Sequence, residues 1–426
     1  MLGIENNKEL RVIMKEVIRI GIDSHEFLNW GGGIDFLATI SEGLESTKSV
    51  QTFLLIDKPS VVEKNWIFVK CLYKGRLINT QKIYKKLKPS YKNIQTTFKK
   101  FSPNTKFVYY TKTKTKFWSN RDKKLADVAK KNTLDIVLPS ISIEDISFPI
   151  PRIGYLFDFQ HKYYPDLYSE TDIKYRDKSF SEQIHKSKYI IVNSEAVKKD
   201  IEKFYPDNKS EVIVLPFKPF QIIDSNEKID LSEYNLPEKY YIVSNQFWMH
   251  KSHITAFEAL ESVYSKGFRD IHIVCTGKME DYRNPQYIDE LINKVDAMKC
   301  KDNIHFLGFI DKVDQMQIMK HSIGLIQPTL FEGGPGGGAT YNALCLGINC
   351  FLSDIPVNKE IIDEKNVYFF EAGNSDALAR LMIEHRNDAV YTENEIKERI
   401  ENNKKEYGQF LLNKIKVIIK DFKEDN

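Results

Sequence analysis

Residues 322–354 constrain this chain more than any other stretch, because their pattern admits one local topology. An apolar run at 323–326 stops at Pro328, and Glu332 and a cluster of glycines follow. A short apolar helical pattern then ends at Gly347, before a second apolar run at 350–352. Strand, loop, helix and strand in that order form the repeating unit of a parallel, doubly wound sheet. Five of the six positions from 333 to 338 are glycine (Gly333, Gly334, Gly336, Gly337 and Gly338), more than a turn requires. Between a strand and a helix, such a loop brings bare N–H groups and the positive end of a helix dipole to one point, a seat suited to phosphate. The plain alternative is a surface loop. The position at the carboxyl end of a strand, where open parallel sheets bind ligands, favours the seat.

The same alternation runs through the chain. Strands are expected at 17–22, 53–56, 66–72, 134–138, 153–157, 189–192 and 212–215, and again at 240–244, 271–275 and 304–307. Residues 218–239 are polar, carry Pro219 and Pro237 and lack a sustained apolar face, which marks a linker. The expected division is a first α/β domain at 1–217, the linker at 218–239, a second α/β domain at 240–392 and a charged helical segment at 393–426. A length of 426 residues is comfortable for two such domains. No apolar run approaches the roughly 20 residues of a membrane span, and the first fifteen residues lack the apolar core of a signal peptide, so a cytoplasmic location is expected. The five cysteines form no C-x-x-C pair and read as reduced core residues.

Glu332-Gly333, the glycines, Asn342-Ala343 four residues before Gly347, and Ser353-Asp354 resemble the donor-sugar motif of retaining glycosyltransferases of the GT-B fold, the group called family 4. The resemblance implies two Rossmann-like domains facing across a cleft, with the last helix crossing back to the first domain. It implies that Glu332 lies near the donor hexose. The family's second Glu, on the ribose, falls on Asn342 counted back from Gly347 and on Thr340 counted forward from Glu332. Lys251 matches the family's diphosphate-clamping Lys, while Gln246 stands where its Arg would be; Arg283 or Lys278 is the candidate to compensate. The D-F-Q-H run at 158–161 places His161 where the family has a histidine facing the sugar. Gly31, Gly32 and Gly33, between the first strand and an amphipathic helix, resemble the loop that lies against the donor phosphates. Asp23 and His25 just before it suit either acceptor binding or a turn. The resemblance further implies that Lys251 and the amides of Gly336, Gly337 and Gly338 receive the diphosphate without metal or other cofactor, that Glu332 and His161 are the catalytic residues, and that the acceptor is a glycan or a polyprenyl-diphosphate-linked glycan.

The segment from Lys82 to Lys124 holds fourteen Lys or Arg against the single acid Asp122, interleaved with aromatic residues. Such a block suits a membrane surface, an anionic acceptor or a solvated face. No RNA- or DNA-binding signature accompanies it, and nucleic acid ranks last. Two rival readings stand beside the enzyme: a non-catalytic partner that keeps the fold and binds a sugar nucleotide or an active homologue, motivated by Gln246 and Asn342, and an epimerase, which would need acid–base carboxylates that the sequence does not offer.

Overall fold

The structure is a computed structural model that describes residues 17–29, 32–58, 91–111, 114–115, 118–119, 121–143, 147–221, 230–362, 364–388 and 391–425. The strand expected at 66–72, Gly31 and much of the basic segment lie outside the described residues.

Seven parallel strands form the first sheet: β1 (Ile18–Asp23), β2 (Val50–Lys58), β3 (Lys106–Thr111), β4 (Ile136–Ser140), β5 (Arg152–Tyr155), β6 (Tyr189–Val192) and β7 (Glu211–Val214). Six form the second: β8 (Tyr240–Ser244), β9 (His272–Thr276), β10 (Ile304–Gly308), β11 (Gly324–Gln327), β12 (Asn349–Ser353) and β13 (Val367–Phe370). The spatial orders are 3-2-1-4-5-6-7 and 10-9-8-11-12-13, so each half reverses direction beside its first strand, as a doubly wound sheet does. The central strands are mostly apolar because helices cover both faces, with polar residues such as Gln327 and Ser353 at their carboxyl ends; every residue of β4, β6, β8 and β12 is buried. The expected strand ends hold to within a few residues. The strand expected to run to Phe157 closes at Tyr155 instead, leaving Phe157 and Asp158 in an irregular loop that proves to face the second domain.

The last helix, Glu393–Asp425, crosses back to the first half. Its Tyr407, Leu411, Ile415 and Ile418 join the same core cluster as Leu37, Ile40 and Leu44 of the helix Gly33–Ser46. Lys404 pairs with Glu42 at 3.0 Å and Asn403 donates to the Pro219 carbonyl at 2.8 Å. Near its start, Arg399 reaches Glu364 and the Leu344 carbonyl of the second half, each at 3.1 Å. The crossing is close because glycine meets glycine: a β-carbon on Gly408 would stand 2.0 Å from the Gly43 carbonyl oxygen. Gly408→Ala should therefore force the helices apart and cost about 1–3 kcal/mol, read as a lower thermal midpoint than wild type. An unchanged midpoint would refute packing at this distance.

Candidate functional site

The site is assembled at the carboxyl ends of the strands, where the two sheets face one another. From the second half, the loop after β8 brings Lys251, and the loop after β11 brings Glu332 and the glycines. Lys251 Nζ donates to Glu332 Oε1, and both side chains are 12% exposed. Gln327, at the very end of β11, donates its amide to the same Glu332 oxygen at 3.1 Å and to the Gly336 carbonyl at 3.0 Å, and accepts from Asn245 Nδ2 at 2.6 Å. The helix Gly337–Leu346 starts directly above this pair. Gly336 and Gly337 both have left-handed φ, +61° and +64°. A β-carbon on Gly337 would lie 3.2 Å from the Glu332 carboxylate, so a side chain there would cover it.

The first half closes on this loop. A β-carbon on Gly333 would stand 2.2 Å from the Phe157 carbonyl oxygen, and one on Gly334 would stand 3.2 Å from Asn193 Cβ. Ser194, which caps the helix Glu195–Phe204 by accepting from the Val197 N–H, also donates to the Gly333 carbonyl at 3.1 Å. Glu360 reaches over from the second half and accepts the Glu195 and Ala196 N–H groups at 2.9 and 2.8 Å, a carboxylate cap supplied by the opposite domain. Asp158 lies near Lys251 and Glu332; burial raises its carboxyl pKa, opposed by the Gln160 N–H and by Arg176.

The expected site residues separate into those brought together and those placed elsewhere. Lys251, Glu332 and the glycine loop form one cluster, but the loop amides are partly committed. The Gly336 N–H donates to Asn358 Oδ1 at 2.9 Å and the Gly337 N–H to the Gly334 carbonyl at 3.2 Å, leaving exposed Gly338, with open space beside it, as the accessible position. Thr340 is fully buried beneath Gly336, whereas Asn342 is half-buried on the same helix. Gln246 does not project as a clamp: its Oε1 accepts the Lys278 N–H at 3.2 Å. Lys278 pairs with Glu280 on the surface.

Arg283, the candidate to replace the missing Arg, is not free to do so. Its guanidinium, 6% exposed, pairs with Asp281 at 3.1 Å, donates to Gln160 Oε1 of the first half at 3.1 Å and lies over Trp248. It is an interdomain tie. His161 also differs from expectation. Its side chain is 0% exposed, bound through Nε2 to Asp177 at 2.9 Å and packed edge-on against Phe180, so the ring is part of the first-domain interior. Asp158, three residues earlier, is the member of that run that meets the second domain. Gly33 starts its helix against the Phe27 carbonyl, 2.0 Å from where a β-carbon would sit, with Gly32 just ahead of it. Asp23 is buried in an ion cluster with Arg121, Asp122 and Arg152. His25 pairs with Asp57 at 3.3 Å at the ends of β1 and β2.

Gln327, Asn245, Asn358 and Glu360 were not singled out from sequence. Gln327 carried one usable signal, a polar residue closing an otherwise apolar strand. Glu360 carried none, since its partners are more than 160 positions away.

Residues 224–407 match the family described as glycosyl transferases group 1. No curated protein matches the sequence. Among solved structures, the chain is similar to a glycosyltransferase from Rickettsia africae (15% identity, 96% of this chain and 100% of that one, TM-score 0.58). It is also similar to Anabaena HepE in complex with UDP-glucose (13%, 96% and 100%, TM-score 0.59) and to sucrose-phosphate synthase from Thermosynechococcus elongatus (12%, 96% and 98%, TM-score 0.53). The fold is the two-domain GT-B fold.

Two histidines beside Lys251 give the site a pH signature. Burial and the Lys251 charge, joined by Arg283, push His250 down to about 2; burial and Lys251 push His253 down to about 3. Both are neutral when folded and take up protons near pH 6.5 once unfolded. Their stabilisation is complete above that pH and is lost as pH falls below it, at up to about 1.4 kcal/mol per unit for each histidine. The thermal midpoint should fall from pH 7 to pH 5. His253→Phe, which keeps the stack on Phe247 at 4.1 Å, should make the fall shallower; a slope equal to wild type would refute the assignment.

Proposed function

We propose that this chain is a retaining glycosyltransferase that moves a hexose from a nucleoside-diphosphate sugar to a glycan or lipid-linked glycan, without metal. The observation that carries the reading is the Lys251–Glu332 ion pair under the start of the helix Gly337–Leu346, closed from the other side by the Phe157–Asp158 loop. A nucleoside diphosphate needs a cation and helix N–H groups at its phosphates. A sugar needs a carboxylate for its hydroxyls, and the leaving diphosphate must be stabilised as the glycosidic bond breaks. In this reading the diphosphate takes Lys251 away from Glu332 and lies toward Gly338. Glu332, released, accepts from the sugar hydroxyls, and Asn342 meets the ribose. The acceptor attacks from the face the diphosphate leaves, with the diphosphate taking the hydroxyl proton, so that configuration is retained. His161 supports the Asp158 loop from beneath, and Asp158 faces the sugar.

The match of residues 224–407 to glycosyl transferases group 1 and the UDP-glucose held by Anabaena HepE, which has the same fold, support this reading. In the cell, a cytoplasmic enzyme at the inner membrane face, drawn there by the segment from Lys82 to Lys124, fits an anionic lipid-linked acceptor. Among the described residues, no helix is long and apolar enough to cross a membrane.

One observation favours the rival reading of a non-catalytic, nucleotide-binding partner: Gln246 and Arg283 are both committed elsewhere, leaving Lys251 as the clamp. Turnover decides between them. Purified protein should be stabilised thermally by one nucleotide family and its sugars, with or without EDTA. Lys251→Ala should then lower kcat/KM by about 10²-fold. Nucleotide binding without transfer or hydrolysis would establish the partner instead, and near-normal kinetics in the variant would remove Lys251 from the mechanism.

A further inference from the structure

Glu332 has two carboxylate oxygens with different surroundings. Oε1 receives both Lys251 Nζ and Gln327 Nε2. No hydrogen bond reaches Oε2 among the described residues, and a β-carbon at position 337 would stand 3.2 Å from it and 3.3 Å from Oε1, so the space there borders the carboxylate as a whole. Lys251 is a mobile point charge on a flexible stem, and an incoming diphosphate competes for it. Gln327 is the opposite kind of partner. It is 1% exposed, sits on the last position of β11 and spends its whole amide inside the site: Oε1 on Asn245, Nε2 on Glu332 and on the Gly336 carbonyl.

We propose that Gln327 is a positioning residue for the sugar end of the donor site, holding Glu332 Oε1 to the strand so that Oε2 stays open to a sugar hydroxyl when Lys251 turns to the diphosphate. This rests on the reading of the cleft as a donor site. Without the amide, Glu332 has Lys251 as its one anchor and follows it toward the phosphates. The diphosphate side does not depend on Gln327 in the same way, because the glycine loop keeps its second tie, Gly336 N–H to Asn358, and Asn358 is in turn bonded to the Ser353 carbonyl at 2.9 Å. Loss of the Gln327 amide should thus penalise sugar nucleotides and spare bare nucleoside diphosphates.

The test is calorimetric binding of UDP, UDP-glucose, GDP and GDP-mannose to wild type, Gln327→Met and Gln327→Glu. Met keeps the length and removes the donor. Glu keeps an acceptor for Asn245 and, when ionised, sets a second carboxylate against Glu332 Oε1 in place of the donor; the thermal midpoint of each variant, measured alongside, establishes that it folds. For whichever nucleotide wild type binds, both variants should lose about tenfold in affinity for the sugar nucleotide, the loss of one hydrogen bond to a charged group. Affinity for the bare diphosphate should stay within about twofold. Equal weakening of both ligands, or of neither, overturns the inference while leaving the donor site standing. If wild type binds none of the four, the donor reading falls, and the inference with it.

Discussion

The cleft depends on an ion pair that is only partly desolvated. Lys251 and Glu332 keep about an eighth of their side-chain surface in contact with solvent, enough to lower the cost of separating them. A fully buried pair would resist opening, since removing one partner strands the other charge. Gln327 and the start of the glycine-rich helix supply the remaining polar surroundings. The result is a carboxylate and a cation that satisfy one another; in the proposed reading, a diphosphate and a sugar take them separately.

The faces around the pair are held by contacts that need both halves of the chain. The Phe157 carbonyl rests where only glycine fits at position 333. Glu360 caps a helix of the other domain, Arg283 crosses to Gln160, and the Tyr164 hydroxyl donates to the Leu330 carbonyl at 3.3 Å. Most of these are hydrogen bonds to backbone groups, which are individually modest. The long helix Glu393–Asp425 works differently. It joins the halves through apolar contacts along the first-domain core and through Arg399 at its start.

Much of this was legible in the sequence. The β11–helix–β12 unit was readable from apolar runs interrupted by glycines, because a strand buried on both faces is apolar through most of its length. The Ser194 cap on the Val197 N–H spans three residues, a contact local enough for sequence alone to carry. Lys251 and Glu332 stood at recognisable places in loops at strand ends, and they do meet. The readings that changed concern side chains with a choice of partners. His161 and Arg283 each had a plausible role in the cleft, and each is instead held by a nearby carboxylate, Asp177 and Asp281, with aromatic surfaces beside it. Thr340 and Asn342 could not be told apart by counting, because the loop length leaves the register open; helix phase buries the first and leaves the second half-buried.

The sequence by itself determined the alternation of strands and helices, the glycine loop between a strand and a helix and the chemical types available there, because hydrophobic period and backbone freedom are properties of neighbouring residues. Only the tertiary structure decided which polar groups remain unspent. Gly336 and Gly337 gave up their N–H groups to Asn358 and to the loop itself, Gln246 gave its acceptor to a backbone amide, and Glu332 kept one oxygen open. A hydrogen-bonding group held by a fixed neighbour is spent, whereas Lys251, a point charge on a flexible stem, can change partners. Asn358 and the Lys278 N–H lie 22 and 32 positions from the groups they engage, so those claims are settled by packing.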